Sequence, residues 1–400
     1  MRVAIIGAGL GGLLSASILS EKGYAVDVYE KLGFYGGRFT SIKYRGFEIS
    51  TGALHMIPHG RRGPLGKMLK RIGTDVEIVD SKPEGVALQN GEMIEIRSSS
   101  FPRKTKLKYF KWLIGYKIFG IDRTMDEYAR EMDDFTLKFF EKFLGWSLSI
   151  YPDQIKFSDI YEIYKRVLKY GGPGIPIGGC KKVVTELAEI IKSNDGNIYL
   201  KKPVEKLIYE NKEIRSLKVD GEEKHYDIFI SNIGHSLTRE LLGFSRQDVV
   251  ESRGIKYSIA LKEPFIGHTG ICFPFDVEKI SGMNEVTNAD PSLAENGHLL
   301  MAHQPVRHPA QIKDEIKAGI AELKEVLKGH EYEIIAIQSY HNDWPVNRVM
   351  SGKDTGYQTE FRNLFVVGDG AKGKDIEVDG VALGVANLMR EEFGLNMGIE

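Results

Sequence analysis

A chain of 400 residues exceeds one small core and suits two intertwined domains or one large α/β unit. With 42% apolar and 27% charged residues it has ordinary globular composition, and a formal net charge of -1 supplies no global field for nucleic acid. Cys180 and Cys272 lie far apart, without metal-ligand spacing or a CxxC pair, so they read as reduced thiols and no metal site is expected.

The opening "MRVAIIGAGLGGLLSASIL" has the Arg and apolar run of a leader, but glycines interrupt the run and no small-residue cleavage site follows. No stretch reaches the roughly 18 uninterrupted apolar residues of a spanning helix. The expectation is a cytoplasmic protein, at most peripheral to a membrane. Val3–Ile6 is a β-rich run, Leu10–Ser20 has helical length and composition, and Ala25–Tyr29 is a second strand. Such a β-α-β unit builds a parallel sheet. Gly7, Gly9 and Gly12 stand in GxGxxG register between the first strand and the helix. Gly7 permits the tight turn, Gly9 a close pyrophosphate, and Gly12 close packing of helix on sheet. Glu30 ends the second strand 18 residues after Gly12, where a carboxylate accepts from adenosine ribose hydroxyls and repels a 2′-phosphate.

"GGR" at Gly36–Arg38 then adds a second close backbone approach and a charge-assisted donor suited to phosphate. A surface turn with a solvated Arg is the alternative. Residues 61–174 are helix-rich, aromatic and charged, and "GGPGIPIGG" punctuates their end. Val183, Val184, Leu187, Ile190 and Ile191 mark a buried helix face. Asn197–Leu200, Val204–Tyr209, Ile214–Val219 and Lys224–Ser231 read as strands. Residues 254–345 read as strands around one helix, Ile312–Leu327. The end returns to the opening style, with the strand "LFVVGDG" and a helix that Gly380 opens. Gly368-Asp369 at that strand end could bind a polyol, and the helix N-terminus could face the pyrimidine end of a ring system. The pattern is one cofactor domain in three pieces, 1–60, 175–235 and 358–400, with a substrate domain in two, 61–174 and 236–357.

This set resembles the FAD-dependent amine oxidase / phytoene desaturase superfamily. That superfamily joins a strand, GxGxxG, an acidic strand end, a GGR segment, a P-x-G-G turn, a later Val and a C-terminal G-D. Here these are Gly7, Gly9 and Gly12, Glu30, Gly36–Arg38, "PIGG" at Pro176–Gly179, Val204, and Gly368-Asp369. The resemblance implies a glutathione-reductase-type FAD-binding Rossmann domain with an inserted mixed α+β substrate domain. It implies FAD held by Gly7, Ala8, Gly9, Gly12, Glu30, Lys31, Gly36, Gly37, Arg38, Val204, Gly368, Asp369, Gly380 and Val381. Glu30 would meet adenosine ribose, Arg38 the phosphates, Val204 adenine, Asp369 the ribityl-pyrophosphate region, and Gly380-Val381 the flavin. "YRGFEISTGALHMIP" and "NADPSLAENGHLLM" are similar to the carotenoid desaturase and isomerase branch, although Ser50 and Glu295 stand where that branch often has Asp and Pro.

The implied activity is dehydrogenation (desaturation) or isomerisation of an apolar, isoprenoid- or carotenoid-like molecule. With no second GxGxxG in strand-turn-helix context, the electron acceptor would be oxygen, a quinone or a separate protein. His55 is the candidate acid-base or orienting group, against the alternative of a structural histidine. His303 and Trp344-Pro345 are weaker candidates. An amine oxidase is one alternative, and the final helix region "EVDGVALGVANL" offers no aromatic for it. A non-catalytic prenyl-lipid escort, as in Rab GDP-dissociation inhibitors, is another, and a plain NAD dehydrogenase would leave the later motifs unexplained. Finally, Pro102–Lys117 carries six Lys or Arg, no acid and interleaved aromatics. It suits peripheral contact with an anionic membrane, or a solvated helix face over an apolar core.

Overall fold

The computed structural model describes residues 1–399. Five short strands form a parallel sheet in the order Leu364–Val366, Ile228–Ser231, Arg2–Ile6, Ala25–Tyr29, Asn197–Tyr199. Their sequences are near-continuous apolar runs, as a sheet covered on both faces requires. The first helix, Leu10–Glu21, is buried from Leu10 through Ser20 because other helices cover its far side. It packs against Gly179–Ser193 and the terminal helix Glu377–Phe393. Pro64–Ile72, within the segment read as the start of the substrate domain, also lies in this core, with Leu65, Met68 and Leu69 buried beside the terminal helix.

A second, seven-stranded sheet runs Tyr332–Tyr340, Gly254–Leu261, His298–Pro305, Gly282–Glu285, Ile271–Pro274, Gly85–Gln89, Glu92–Glu95. It is antiparallel except where Ile271–Pro274 meets Gly85–Gln89. Ile312–Val326 covers one face, and Asp134–Leu148 lays Phe135, Phe139, Phe143 and Trp146 on the other. A helical lobe built from Arg103–Phe119, Asp134–Leu148 and Phe157–Tyr170 packs around Trp112, Tyr128 and Phe157. This α/β architecture agrees with the fold class implied by the sequence. Among the described residues no helix is long and apolar enough to cross a membrane.

Two expectations need correction. Lys224–Ser231 is not one strand: Glu222–His225 closes a three-stranded antiparallel sheet, and Ile228–Ser231 enters the parallel one. Tyr226 and Asp227 turn the chain between them, and Tyr226 is anchored by hydrogen bonds to Tyr29 and Asp27. Gly380 does not open the terminal helix, which begins at Glu377; Gly380 sits in its first turn, where a Cβ would come 2.5 Å from the Asp375 carbonyl oxygen.

Gly12 shows how tightly the first helix seats. A Cβ there would lie 2.2 Å from the Gly7 carbonyl oxygen, and backbone must move to admit it. Gly12→Ala is expected to destabilise the fold by at least about 1–3 kcal/mol. Denaturant unfolding measures this, and an unchanged midpoint would refute it.

Candidate functional site

A cavity of about 430 Å³ lies at the carboxyl ends of the parallel strands, within the range of small-molecule sites. Ile6 and Gly7, Tyr29 and Glu30, Asn232 and Ile233, and Gly368 each reach it from the end of a different strand. This is where an open α/β sheet binds ligands. The cavity continues to the seven-stranded sheet, where Phe139, Phe143, Trp146, Ile271 and Phe273 give it an apolar wall.

The glycine-rich turn is closed from within. Gly7 N donates to the Tyr29 carbonyl at 2.8 Å. The buried Glu30 carboxylate accepts from Ala8 N through Oε2 and from Leu32 N through Oε1, each at 2.8 Å. Gly36 N donates to the Ala8 carbonyl at 2.6 Å, and Gly9 and Gly36 form an isolated parallel bridge. Gly36 has φ +97°, and a Cβ on it would lie 2.7 Å from Thr40 Cβ. The GGR segment is therefore laid directly against the first turn, not on the open surface. The first helix begins beside it with Gly9 as an uncapped N-cap and no acidic residue in its first turn. Its free N–H groups and positive dipole end face the cavity at Gly9, Leu10 and Gly11.

Arg38 does not present its charge freely to a phosphate, as the resemblance implied. Its Nη1 donates to the carbonyls of Pro345 and Val346 at 2.6 Å, and its Nη2 pairs with Asp369 Oδ2 at 2.5 Å. Asp369 Oδ2 also accepts from Arg348 N at 2.6 Å, and Oδ1 from Lys372 Nζ at 2.8 Å. Burial would raise the Asp369 carboxyl, but Lys372 and Arg38 overcome it and hold the group well below the usual carboxylate range. Arg348 lines the cavity next to this cluster. Burial and the like charge of Arg38 lower its guanidinium to about 10. Among the described residues it has no carboxylate partner within ion-pair distance. It is thus the arginine available to an anion, and "NRVM" carries no glycine or spacing that would have singled it out.

The remaining expected residues divide. Gly7, Gly9, Glu30, Lys31, Gly36, Gly37, Arg38, Val204, Gly368, Asp369 and Val381 line the cavity. Val204 does so from the loop ahead of the strand Lys206–Glu210. Ala8, Gly12 and Gly380 act behind the wall through backbone contacts. His55 is a correction. Its neighbours Leu54 and Met56 line the cavity, whereas the His55 ring is fully buried and its Nε2 accepts from Cys180 N at 3.1 Å. Burial, then the nearby Lys256, lower it to about 3, so it is a neutral acceptor at the start of the Gly179–Ser193 helix. His303 is likewise buried, bonded to Ser149 Oγ at 2.7 Å and lowered to about 3. Trp344 does reach the cavity, as does Tyr340. Ser50 Oγ accepts from the fully buried Lys256 Nζ at 2.7 Å, and Gly52 O does so at the same distance. Burial brings that ammonium down to about 7.

Two further cavity residues escaped the sequence reading. His59 bonds the Gly171 carbonyl and Asp375 Oδ1, each at 3.0 Å. Burial disfavours its charge, but Asp375 outweighs burial and raises its pKa. Glu377 accepts from Asn347 Nδ2 at 3.0 Å and has φ +47°. Burial raises its carboxyl from 4.5 to about 7. Non-glycine residues in the left-handed region cost energy and concentrate at functional sites.

Because the folded pKa of Glu377 lies above the unfolded one, its contribution to stability is complete below about pH 4.5 and is lost as pH rises through about 7. Relative to the wild type, Glu377→Gln should therefore gain up to about 3 kcal/mol between pH 5 and pH 8. Thermal unfolding of both proteins across that range tests it, and parallel pH profiles would refute it.

Residues 5–72 match the model of the NAD(P)-binding Rossmann-like domain. The chain is 43% identical over 397 residues to an uncharacterized protein of Methanocaldococcus jannaschii, covering 97% of this chain and 98% of that protein. The structure of an oxidoreductase from Methanosarcina mazei matches with TM-score 0.90 and 38% identity, over 98% of this chain and all (100%) of the other. The neurosporene-forming phytoene desaturase of Cereibacter sphaeroides is 24% identical over 294 residues, 62% of this chain, which spans 56% of that desaturase's length. Putrescine oxidase shares the fold, with TM-score 0.69 and 14% identity over 99% of this chain and 100% of its own. The chain belongs to the family of the Methanocaldococcus and Methanosarcina proteins, carries a Rossmann-like domain, and is distantly similar to the phytoene desaturases.

Proposed function

We propose that the cavity binds FAD and that the chain is an oxidoreductase for an apolar, isoprenoid- or carotenoid-like small molecule. The observation carrying this reading is the convergence of three remote segments, Gly7–Gly12, Gly36–Arg38 and Gly368-Asp369, on one cavity that ends in an apolar wall. A nicotinamide site alone would need only the first. The oxidoreductase and desaturase relatives support the same assignment.

In this reading Glu30 keeps its remaining lone pairs for ribose hydroxyls. The uncapped N-terminus of the first helix and Arg348 meet the pyrophosphate. Asp369, already holding Arg38 and Lys372, faces the ribityl region, and Val381 on the terminal helix faces the ring. When bound, the flavin supplies a ring that takes hydride from a C–H bond. The chain's part is to orient the substrate and keep water out, through Phe139, Phe143, Trp146 and Phe273. The electron acceptor is a separate molecule: oxygen, a quinone or another protein.

Amine oxidation is the second reading. The terminal helix carries no aromatic toward the cavity, but Tyr340 and Trp344 line it from the opposite side. The visible absorption spectrum of the purified protein, with anaerobic addition of isoprenoids or amines, separates the readings. Flavin bands that isoprenoids bleach and amines do not are expected. Bleaching by amines alone would favour the second reading. A colourless protein that FAD cannot reconstitute would sink both and favour a lipid escort. Loss of one charge-assisted phosphate contact in Arg348→Ala should weaken FAD retention by about tenfold or more, read by equilibrium dialysis. Retention equal to wild type would remove Arg348 from the site.

A further inference from the structure

The basic segment is a 17-residue helix, Arg103–Phe119, and both its faces are apolar. The inner face sinks Trp112 into the helical lobe, with Tyr109, Leu113 and Tyr116 packed beside it. The outer face leaves Leu107, Phe110, Ile114 and Ile118 71%, 59%, 36% and 69% exposed. Their spacing of three, four and four residues puts them in one stripe. Phe119, which ends the helix, is also 71% exposed. On the neighbouring helix Phe157–Tyr170, Tyr164 and Leu168 are 48% and 67% exposed, and the Tyr109 and Tyr164 rings meet at 5.8 Å. Single exposed apolar residues are ordinary, but a stripe of four along one helix marks an interaction surface.

Charge identifies what covers it. Arg103–Phe119 carries six Lys or Arg and no Asp or Glu. Lys104, Lys106 and Lys111 stand exposed on the flanks of the stripe, and Lys117 lies over the Tyr116 and Tyr161 rings. We propose that this face docks on an anionic lipid membrane, with the apolar stripe entering the acyl boundary and the lysines reaching the headgroups. A second copy would set two uncompensated basic stripes against each other. A nucleic acid would neutralise the lysines and leave the apolar stripe in water. A lipid surface satisfies both features.

The lobe that carries this surface also borders the cavity. Val167, on the helix that exposes Tyr164 and Leu168, lines the cavity and packs in the same lobe core. The docked face and this part of the cavity wall thus belong to one packed lobe. The lipid contact stands on this helix surface alone, while delivery of an apolar substrate through it rests on the function proposed above.

Flotation of the full chain with phosphatidylcholine vesicles, with or without phosphatidylserine, tests the contact. The protein should float with the anionic vesicles at low salt, leave them at high salt, and ignore the neutral ones. Leu107→Asp/Ile118→Asp should abolish flotation, and Lys104→Glu/Lys111→Glu should weaken it by roughly tenfold or more. Both variants should keep the wild-type unfolding temperature and absorption spectrum, because these side chains face outward. If the Asp pair fails to fold, the charge-reversal pair decides. Wild-type protein that does not float, or variants that float unchanged, would overturn the proposal. So would a dimer in light scattering that the Asp pair dissolves, or binding of a single-stranded oligonucleotide that survives it. Failed flotation with an intact flavin spectrum would overturn the membrane contact and leave the flavoenzyme reading standing.

Discussion

One partly buried carboxylate ties this molecule together at its site. Asp369 comes from the last strand of the parallel sheet and receives Arg38 from the GGR segment, Lys372 from its own turn, and the backbone N–H of Arg348. Arg38 in turn holds the carbonyls of Pro345 and Val346, which lead out of the last strand of the other sheet. Three stretches of chain, one of them more than 300 residues from the other two, thus meet at one anion. Such clusters add little net stability over an apolar replacement, but removing one member strands the others and costs about 3–5 kcal/mol.

From that point the cavity changes character in both directions. Toward Glu30 it is backbone: glycines, free N–H groups of the first helix, and a carboxylate already holding two amides. Toward the seven-stranded sheet it is aromatic and aliphatic, with His55 and His303 neutral behind the wall. A polar ligand part is recognised at one end and an apolar one at the other. The ionic middle keeps Asp369 charged, whereas burial without comparable compensation raises the Glu377 carboxyl to about 7.

The helical lobe adds a different constraint. Its core is filled by Trp112, Tyr128 and Phe157, so the helix Arg103–Phe119 is anchored by its inner face, while its outer face stays exposed. An anchored helix with an exposed apolar stripe and flanking lysines is pre-organised for a surface that is both apolar and anionic.

The sequence by itself determined the Rossmann half and the fold class. Glycine spacing, strand length and Glu30 are local signals, because a tight turn and a helix start need particular residues at particular offsets. It also pointed to the GGR and GDG segments, whose lack of side chains is visible in one dimension. Only the tertiary structure decided which charges serve which purpose. The sequence pointed to Arg38 and not to Arg348, yet Arg38 is paired with Asp369 and Arg348 lines the cavity without a carboxylate partner. His55 and His59 lie four residues apart, yet one is walled off and the other reaches the cavity. The basic helix could have buried its stripe or shown it, and the pairing of its inner face with Phe157 and Tyr128 chose the second. Such outcomes depend on contacts between residues hundreds of positions apart, and no local pattern encodes them.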